Sequence, residues 1–77
     1  MDFGSALMAL KSGAQVYRLG WNGKGLRLEL QVPDANSKMT LPYIFISYPS
    51  DAKITPGARV PWLASQTDLL AEDWELV

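Results

Sequence analysis

The chain contains no cysteine and no histidine among its 77 residues. Without cysteine there is no disulfide and no thiolate nucleophile, and without histidine there is no Ser–His dyad and no imidazole base near neutral pH. The usual ligand sets for zinc and iron are missing as well. Because only carboxylate, lysine or tyrosine catalysis is left, we expect a protein that is not an enzyme and that uses no metal or cofactor.

The sequence also lacks an excess of charge of one sign and any long apolar run. Seven basic and eight acidic residues give a formal charge of -1, and the basic residues do not form the stripe that binds long nucleic acids. No apolar run approaches the roughly 20 residues that span a bilayer. The start, Met1-Asp2-Phe3, has no basic signal-peptide region. We therefore expect a cytoplasmic protein that binds neither long nucleic acid nor membrane.

The composition that remains is apolar and the chain is short. Hydrophobic residues make up 48% of it, which with a small net charge is typical of a globular protein. The length predicts one small domain, residues 1–77. Domains of this size commonly gain stability from disulfides, metals or partner subunits. Since the first two are excluded here, we expect a homo-oligomer.

The hydrophobic pattern predicts an α+β fold, a small antiparallel sheet with an N-terminal helix packed on it. Asp2 is a plausible helix N-cap, and Gly13 is a plausible stop. Apolar residues recur at helical spacing between these two positions: Phe3, Ala6, Leu7 and Leu10.

Alternation of apolar and polar residues over Leu26–Val32 predicts a half-buried strand whose wet face carries Arg27, Glu29 and Gln31. Residues 15–19 are expected to pair with it as an antiparallel hairpin. The connecting turn is predicted at Asn22-Gly23, because both residues tolerate positive φ.

The rest of the chain adds shorter elements. Leu41–Tyr48 is predicted as a second strong strand, and residues 59–63 as short extended structure. A short second helix is predicted over residues 68–72, with Thr67 or Ser65 as its cap, and a final strand is predicted from Trp74 to Val77.

The segment Gly20-Trp21-Asn22-Gly23-Lys24-Gly25 is the first candidate site. A large aromatic residue on a loop is a natural stacking surface for a base, and glycines let backbone N–H groups approach a ligand. Lys24 adds a positive charge for phosphate, and Asn22 offers both a donor and an acceptor. The plainer interpretation is a hairpin turn with a solvated lysine.

The acidic C-terminal part of the chain is the second candidate: Asp68, Glu72, Asp73 and Glu75. The plainer interpretation is an acid at a helix N-terminus followed by solvated charges. Asp73, beside Trp74, is also able to accept hydrogen bonds from ribose hydroxyls or an adenine amino group.

Three stretches carry a resemblance to a known family: Phe3–Leu10, the Gly20–Gly25 turn, and the run Val60–Trp74. The most specific is Pro-Trp-Leu-Ala-Ser-Gln-Thr-Asp-Leu-Leu-Ala-Glu-Asp-Trp at 61–74. Together they resemble a small phage and prophage family, the Thoeris anti-defence sponge proteins of the second type. The resemblance covers about half of the chain, and residues 33–57 match loosely.

The resemblance implies sequestration without catalysis. Members of this family bind a messenger made by bacterial TIR-domain proteins, 1''-3' glycocyclic ADP-ribose, and withhold it intact from its effector in the host bacterial cytoplasm. They assemble as homotetramers with pockets between protomers. Some also bind cyclic di- or trinucleotides of a second defence system, CBASS.

The same resemblance implies a set of ligand-binding residues. Trp21 and Trp74 would stack on adenine, and Asp73 would bond to ribose or base. Asn22, the glycine turn and Lys24 would hold ribose and pyrophosphate, with Gln66 and Thr67 near the same pocket. The complete set is Trp21, Asn22, Gly23, Lys24, Gln66, Thr67, Asp73 and Trp74. Leu19 stands where relatives often carry a basic residue.

Two other functions remain open on the sequence. The first is an enzyme that cleaves the messenger, with Asp73, Glu72 or Glu29 as acid or base. The second is a protein–protein module that blocks a host defence protein directly, in which the tryptophans would be interface anchors.

Overall fold

Two helices and five strands make up the fold, and the computed structural model describes all of residues 1–77. The helices are α1 (Phe3–Lys11) and α2 (Gln66–Leu70), and the strands are β1 (Val16–Arg18), β2 (Arg27–Gln31), β3 (Tyr43–Ser47), β4 (Arg59–Pro61) and β5 (Trp74–Leu76). All five strands form one antiparallel sheet in the order β4-β3-β2-β1-β5. The predicted α+β fold is confirmed.

Helix α1 begins and ends where the sequence predicts. The Asp2 carboxylate accepts a hydrogen bond from the Ser5 backbone N–H at 2.8 Å, and Gly13 follows the last turn with a φ of 96°. Ala6 and Leu10 are fully buried against the sheet. Because nine residues are too few for a stable isolated helix, this packing holds it in place. Neither helix is long and apolar enough to cross a membrane.

The central strands confirm the alternating pattern but are shorter than predicted. β2 and β3 pair over five residues each, from Arg27 opposite Ser47 to Gln31 opposite Tyr43. Leu28 is fully buried, whereas Val32 lies beyond the end of β2 and is 65% exposed. β1 joins the same sheet antiparallel to β2, as expected of a hairpin.

The prediction of a tight turn at Asn22-Gly23 between β1 and β2 is wrong. Neither residue takes a positive φ, and the chain instead crosses between the strands in an eight-residue loop, 19–26, that reaches a φ of 82° at Gly25. The Trp21 backbone N–H closes a first turn on the Arg18 carbonyl at 3.3 Å. Side chains from elsewhere in the chain anchor this loop, since Asp73 accepts a hydrogen bond from Gly20 and Asp68 accepts one from Trp21.

Helix α2 is capped by Ser65 and begins two residues earlier than predicted. Ser65 Oγ accepts from the Asp68 backbone N–H at 3.1 Å, and Asp68 Oδ2 accepts from the Ser65 N–H at 3.3 Å. This reciprocal pair is a capping box. It satisfies two backbone donors at the helix start and places the Asp68 side chain inside the molecule.

The final strand, β5, confirms the predicted closing strand and pairs with β1. This pairing places Trp74 opposite Arg18 and at the centre of the core. The core cluster consists of Ala6, Leu10, Val16, Leu28 and Trp74, each with an exposure of 0%. Phe3, Trp21 and Trp62 pack around it with ring centroids 5.4–6.0 Å from Trp74.

Candidate functional site

A surface groove of about 400 Å³ lies where β1 ends and β2 begins. Its size falls within the range of about 300–1,000 Å³ that is usual for small-molecule sites. The wall combines an aromatic ring, basic side chains and glycine backbone, and contains no acidic side chain. It is lined by Tyr17, Arg18, Leu19, Trp21, Gly23, Lys24, Gly25, Leu26, Arg27 and Val77. Such a surface suits a planar ligand that carries negative charge.

Trp21 is the aromatic centre of the groove wall. It is half-buried, and its indole Nε1–H donates to Asp68 Oδ1 at 3.1 Å. Its ring packs edge-to-face on Trp74 at a centroid distance of 5.5 Å. The indole is therefore held by the core from within while it still lines the groove, which limits the entropy lost on stacking.

Behind Trp21 lies a charged group that we call the Arg18 cluster: Arg18, Asp68 and Asp73. Arg18 Nε donates to Asp73 Oδ1 and Arg18 Nη1 to Asp68 Oδ1, both at 2.8 Å. The second Asp73 oxygen accepts from the Gly20 backbone N–H at 2.7 Å. The cluster therefore fastens the groove loop to α2 and to the start of β5.

Two glycines of the loop are required by close contacts within the fold. A Cβ at Gly20 would lie 2.7 Å from Asp73 Oδ2, so a side chain there would displace the carboxylate. Gly25 has a φ of 82°, and a Cβ there would lie 3.0 Å from the Pro49 Cβ. The glycines thus serve the loop's own geometry, whatever they offer to a ligand.

The two carboxyl groups of the Arg18 cluster remain ionised well below neutral pH. Burial alone would raise the pKa of Asp68, but hydrogen bonds from Arg18, Trp21 and Ser65 outweigh it and lower that pKa below 3.8. The hydrogen bond from Arg18 likewise lowers the pKa of Asp73. At neutral pH two carboxylates face one guanidinium, so the cluster carries a net charge of -1.

These pKa shifts predict a loss of stability in acid. A carboxyl group whose pKa is lower in the folded state contributes stability above its unfolded pKa, here about 3.8, and loses it as the pH falls through the folded value. The free energy of unfolding from urea titrations should therefore decline below about pH 4. Asp68→Asn with Asp73→Asn should flatten this decline, and Asp51→Asn on an exposed loop should not. Parallel curves for all variants would contradict the assignment.

Three of the eight expected ligand-binding residues line the groove: Trp21, Gly23 and Lys24. Asn22 lies in the same loop and is exposed, beside the wall rather than in it. Gln66 and Thr67 are exposed on the first turn of α2, outside the groove. Contacts from these last three residues to a ligand stay predictions.

Trp74 and Asp73 have other partners in the structure. Trp74 is fully buried, and its Nε1–H donates to the Asp68 carbonyl at 3.0 Å, so the fold leaves no face of its ring for a base. In this chain Trp74 therefore has a role in the core, and its expected stacking on adenine stays a prediction that this burial does not favour. Both carboxylate oxygens of Asp73 are engaged, by Arg18 and by Gly20.

Sequence reasoning missed Tyr17, Arg18 and Arg27, which line the groove, and the hydrogen bond by which Asp68 anchors Trp21. For Arg27 a signal existed, since the alternating pattern of β2 already placed it on the wet face next to the glycine turn. Arg18 and Asp68 are 50 residues apart in sequence, and no local pattern connects them.

Two of the three carboxylates considered for an enzyme, Glu29 and Asp73, are poorly suited to that role. Glu29 Oε1 accepts a hydrogen bond from Gln15 Nε2 at 2.6 Å, and Asp73 is tied to Arg18. A general acid working near neutral pH needs a raised pKa, whereas the pKa of Asp73 is lowered.

The fold and the groove together define a small α+β protein with an aromatic and cationic surface site at one end of its sheet. The chain belongs to the Thoeris anti-defense 2-like domain family, which matches it over residues 1–77. It is 43% identical over 90 residues to "Thoeris anti-defense 2" of Bacillus phage SP01, covering 100% of this chain and 94% of that protein. These matches confirm the family resemblance, and membership supports a role in blocking Thoeris defence.

Proposed function

We propose that the protein blocks Thoeris defence by binding the TIR-produced messenger glycocyclic ADP-ribose and withholding it, unaltered, in the cytoplasm of the host bacterium. The observation that carries this proposal is the groove built around Trp21 and Lys24 in a chain of this family. A sponge acts by equilibrium binding, so it needs affinity and no reactive group.

The groove offers a contact for each part of such a ligand. The adenine ring stacks on Trp21, which the core already holds in place. The pyrophosphate lies near Lys24 and the backbone of Gly23, and Asn22 is available to the ribose hydroxyls. Trp74 supports Trp21 from behind instead of touching the ligand.

We further propose that the protein works as a homo-oligomer, a tetramer as the family resemblance implies. Several large apolar side chains support self-association because they are exposed in the single chain, among them Leu63 at 91% and Leu70 at 79%. Cyclic di- and trinucleotides share the purine and phosphate chemistry of the messenger, so they are candidate second ligands.

Replacing Trp21 with alanine tests the stacking role. Without the indole ring the adenine loses its stacking partner, so binding of purified glycocyclic ADP-ribose should weaken by about 1–3 kcal/mol, or about 5- to 150-fold. Titration calorimetry measures the affinity, and circular dichroism checks that the variant is folded. Trp21→Phe is the matched control, since it keeps an aromatic face and should retain most of the affinity.

Recovery of the ligand separates the competing functions. After heat release, chromatography should return the messenger unchanged from the wild-type complex. A hydrolysed product would establish the enzyme instead. Capture of a host defence protein in the absence of any ligand binding would establish the protein–protein module.

A further inference from the structure

Three basic side chains line the groove, Arg18, Lys24 and Arg27, but they are not equivalent. Arg18 forms two salt bridges of 2.8 Å, to Asp68 and to Asp73. Lys24 and Arg27 are exposed and form no salt bridge. The positive charge that is available to an anion in this groove therefore lies on Lys24 and Arg27.

The Arg18 cluster increases the need for the positive charges of Lys24 and Arg27 when an anion binds in the groove. Its net charge of -1 lies directly behind Trp21, so a phosphate entering the groove meets repulsion from that side. Two further acids lie on the sheet face of Arg27. Glu29 of β2 accepts a hydrogen bond from Gln15, and Glu75 of β5 is paired with Tyr17. A single lysine on a turn offsets this negative charge only weakly.

Arg27 is better placed than Lys24 to bind in a fixed geometry. It is the first residue of β2, and its backbone is paired with Ser47 of β3, so its Cα is held by the longest strand pair of the sheet. Its guanidinium can donate two parallel hydrogen bonds to phosphate oxygens, whereas an ammonium group acts as a point charge.

We propose that Arg27 is a ligand-binding residue that supplies, with Lys24, the second cationic contact for the phosphates of the messenger. The proposal rests on the proposed function and deepens it, since it assigns the phosphate end of the groove to the start of β2. Trp21 then fixes the base, and Lys24 and Arg27 fix the two phosphates.

Arg27→Gln tests this assignment by titration calorimetry with purified glycocyclic ADP-ribose at low and high sodium chloride. Loss of a charged hydrogen-bonding partner should weaken binding about tenfold at low salt and less at high salt. Arg27→Lys should recover part of the loss. Lys38→Gln is the matched control: it removes the same charge from an exposed loop at the opposite end of β2, and it should bind like the wild type.

The possible results separate this inference from the proposed function. If the wild type binds no messenger, the proposed function fails and the inference fails with it. If the wild type binds and Arg27→Gln keeps both its affinity and its salt dependence, only the role of Arg27 is overturned. An equal loss in Lys38→Gln would also overturn it, because net charge rather than position would then explain the effect.

Discussion

Replacing Trp74 with alanine should lower the free energy of unfolding by about 3–5 kcal/mol, as is usual for a fully buried tryptophan. The ring has an exposure of 0% and contacts Phe3, Trp21 and Trp62. A chain of 77 residues has a total stability of roughly 4–12 kcal/mol. Urea and thermal unfolding, followed by circular dichroism, should therefore show a variant that has lost at least about a quarter of its stability.

Two variants make the Trp74 prediction specific. Trp74→Phe keeps most of the buried ring but loses the hydrogen bond to the Asp68 carbonyl, so its loss of stability should be smaller. Trp21→Ala removes a half-buried ring and should also be less destabilising. A Trp74→Ala protein with wild-type stability and impaired ligand binding would contradict the core assignment and favour a stacking role.

Replacing Asp68 with alanine should cost about 2–4 kcal/mol of folding stability, because it leaves several donors without a partner. The carboxylate accepts hydrogen bonds from Arg18, Trp21 and the Ser65 backbone while only 9% exposed. In a domain of this size the melting temperature should fall by more than about 8 °C. Binding should weaken as well, because Trp21 loses its anchor.

The Asp68 prediction has a control in the chain and a local readout. Glu72→Ala removes an exposed acid nearby and should change stability little. In Asp68→Ala, which has no side-chain acceptor, the indole N–H of Trp21 should exchange faster with solvent, measured by NMR under native conditions. The indole of Trp74 bonds to the Asp68 backbone and serves as internal reference. Unchanged exchange at Trp21 would contradict the anchoring role.

The elements of the fold follow from local patterns, which is why most could be predicted. Asp2 and Gly13 delimit α1, and the period of two in β2 needs only neighbouring residues. The order of the strands in the sheet could not be predicted from the sequence, because it depends on the pairing of β5 with the distant strand β1. The choice between Ser65 and Thr67 as helix cap depended on the Asp68 side chain turning back to the Ser65 N–H.

The candidate site was predictable only in its loop. The glycine turn drew attention to Trp21 and Lys24, which do line the groove. The sequence could not show which of Trp21 and Trp74 is buried. In the structure, strand pairing buries Trp74 completely and leaves Trp21 in the groove wall. Likewise the partners of Asp73 lie 53 and 55 residues away, too distant for any spacing rule.

The pairing of β5 with β1 also has a consequence for synthesis on the ribosome. Until Trp74 has been translated, the emerging chain lacks the side chain around which its core is built and the strand that pairs with the free edge of β1. Contacts that join distant parts of a chain form slowly, since they close a large loop. Nascent chains that stop short of this residue therefore expose apolar surface, and the core becomes complete only when β5 is available to pair with β1.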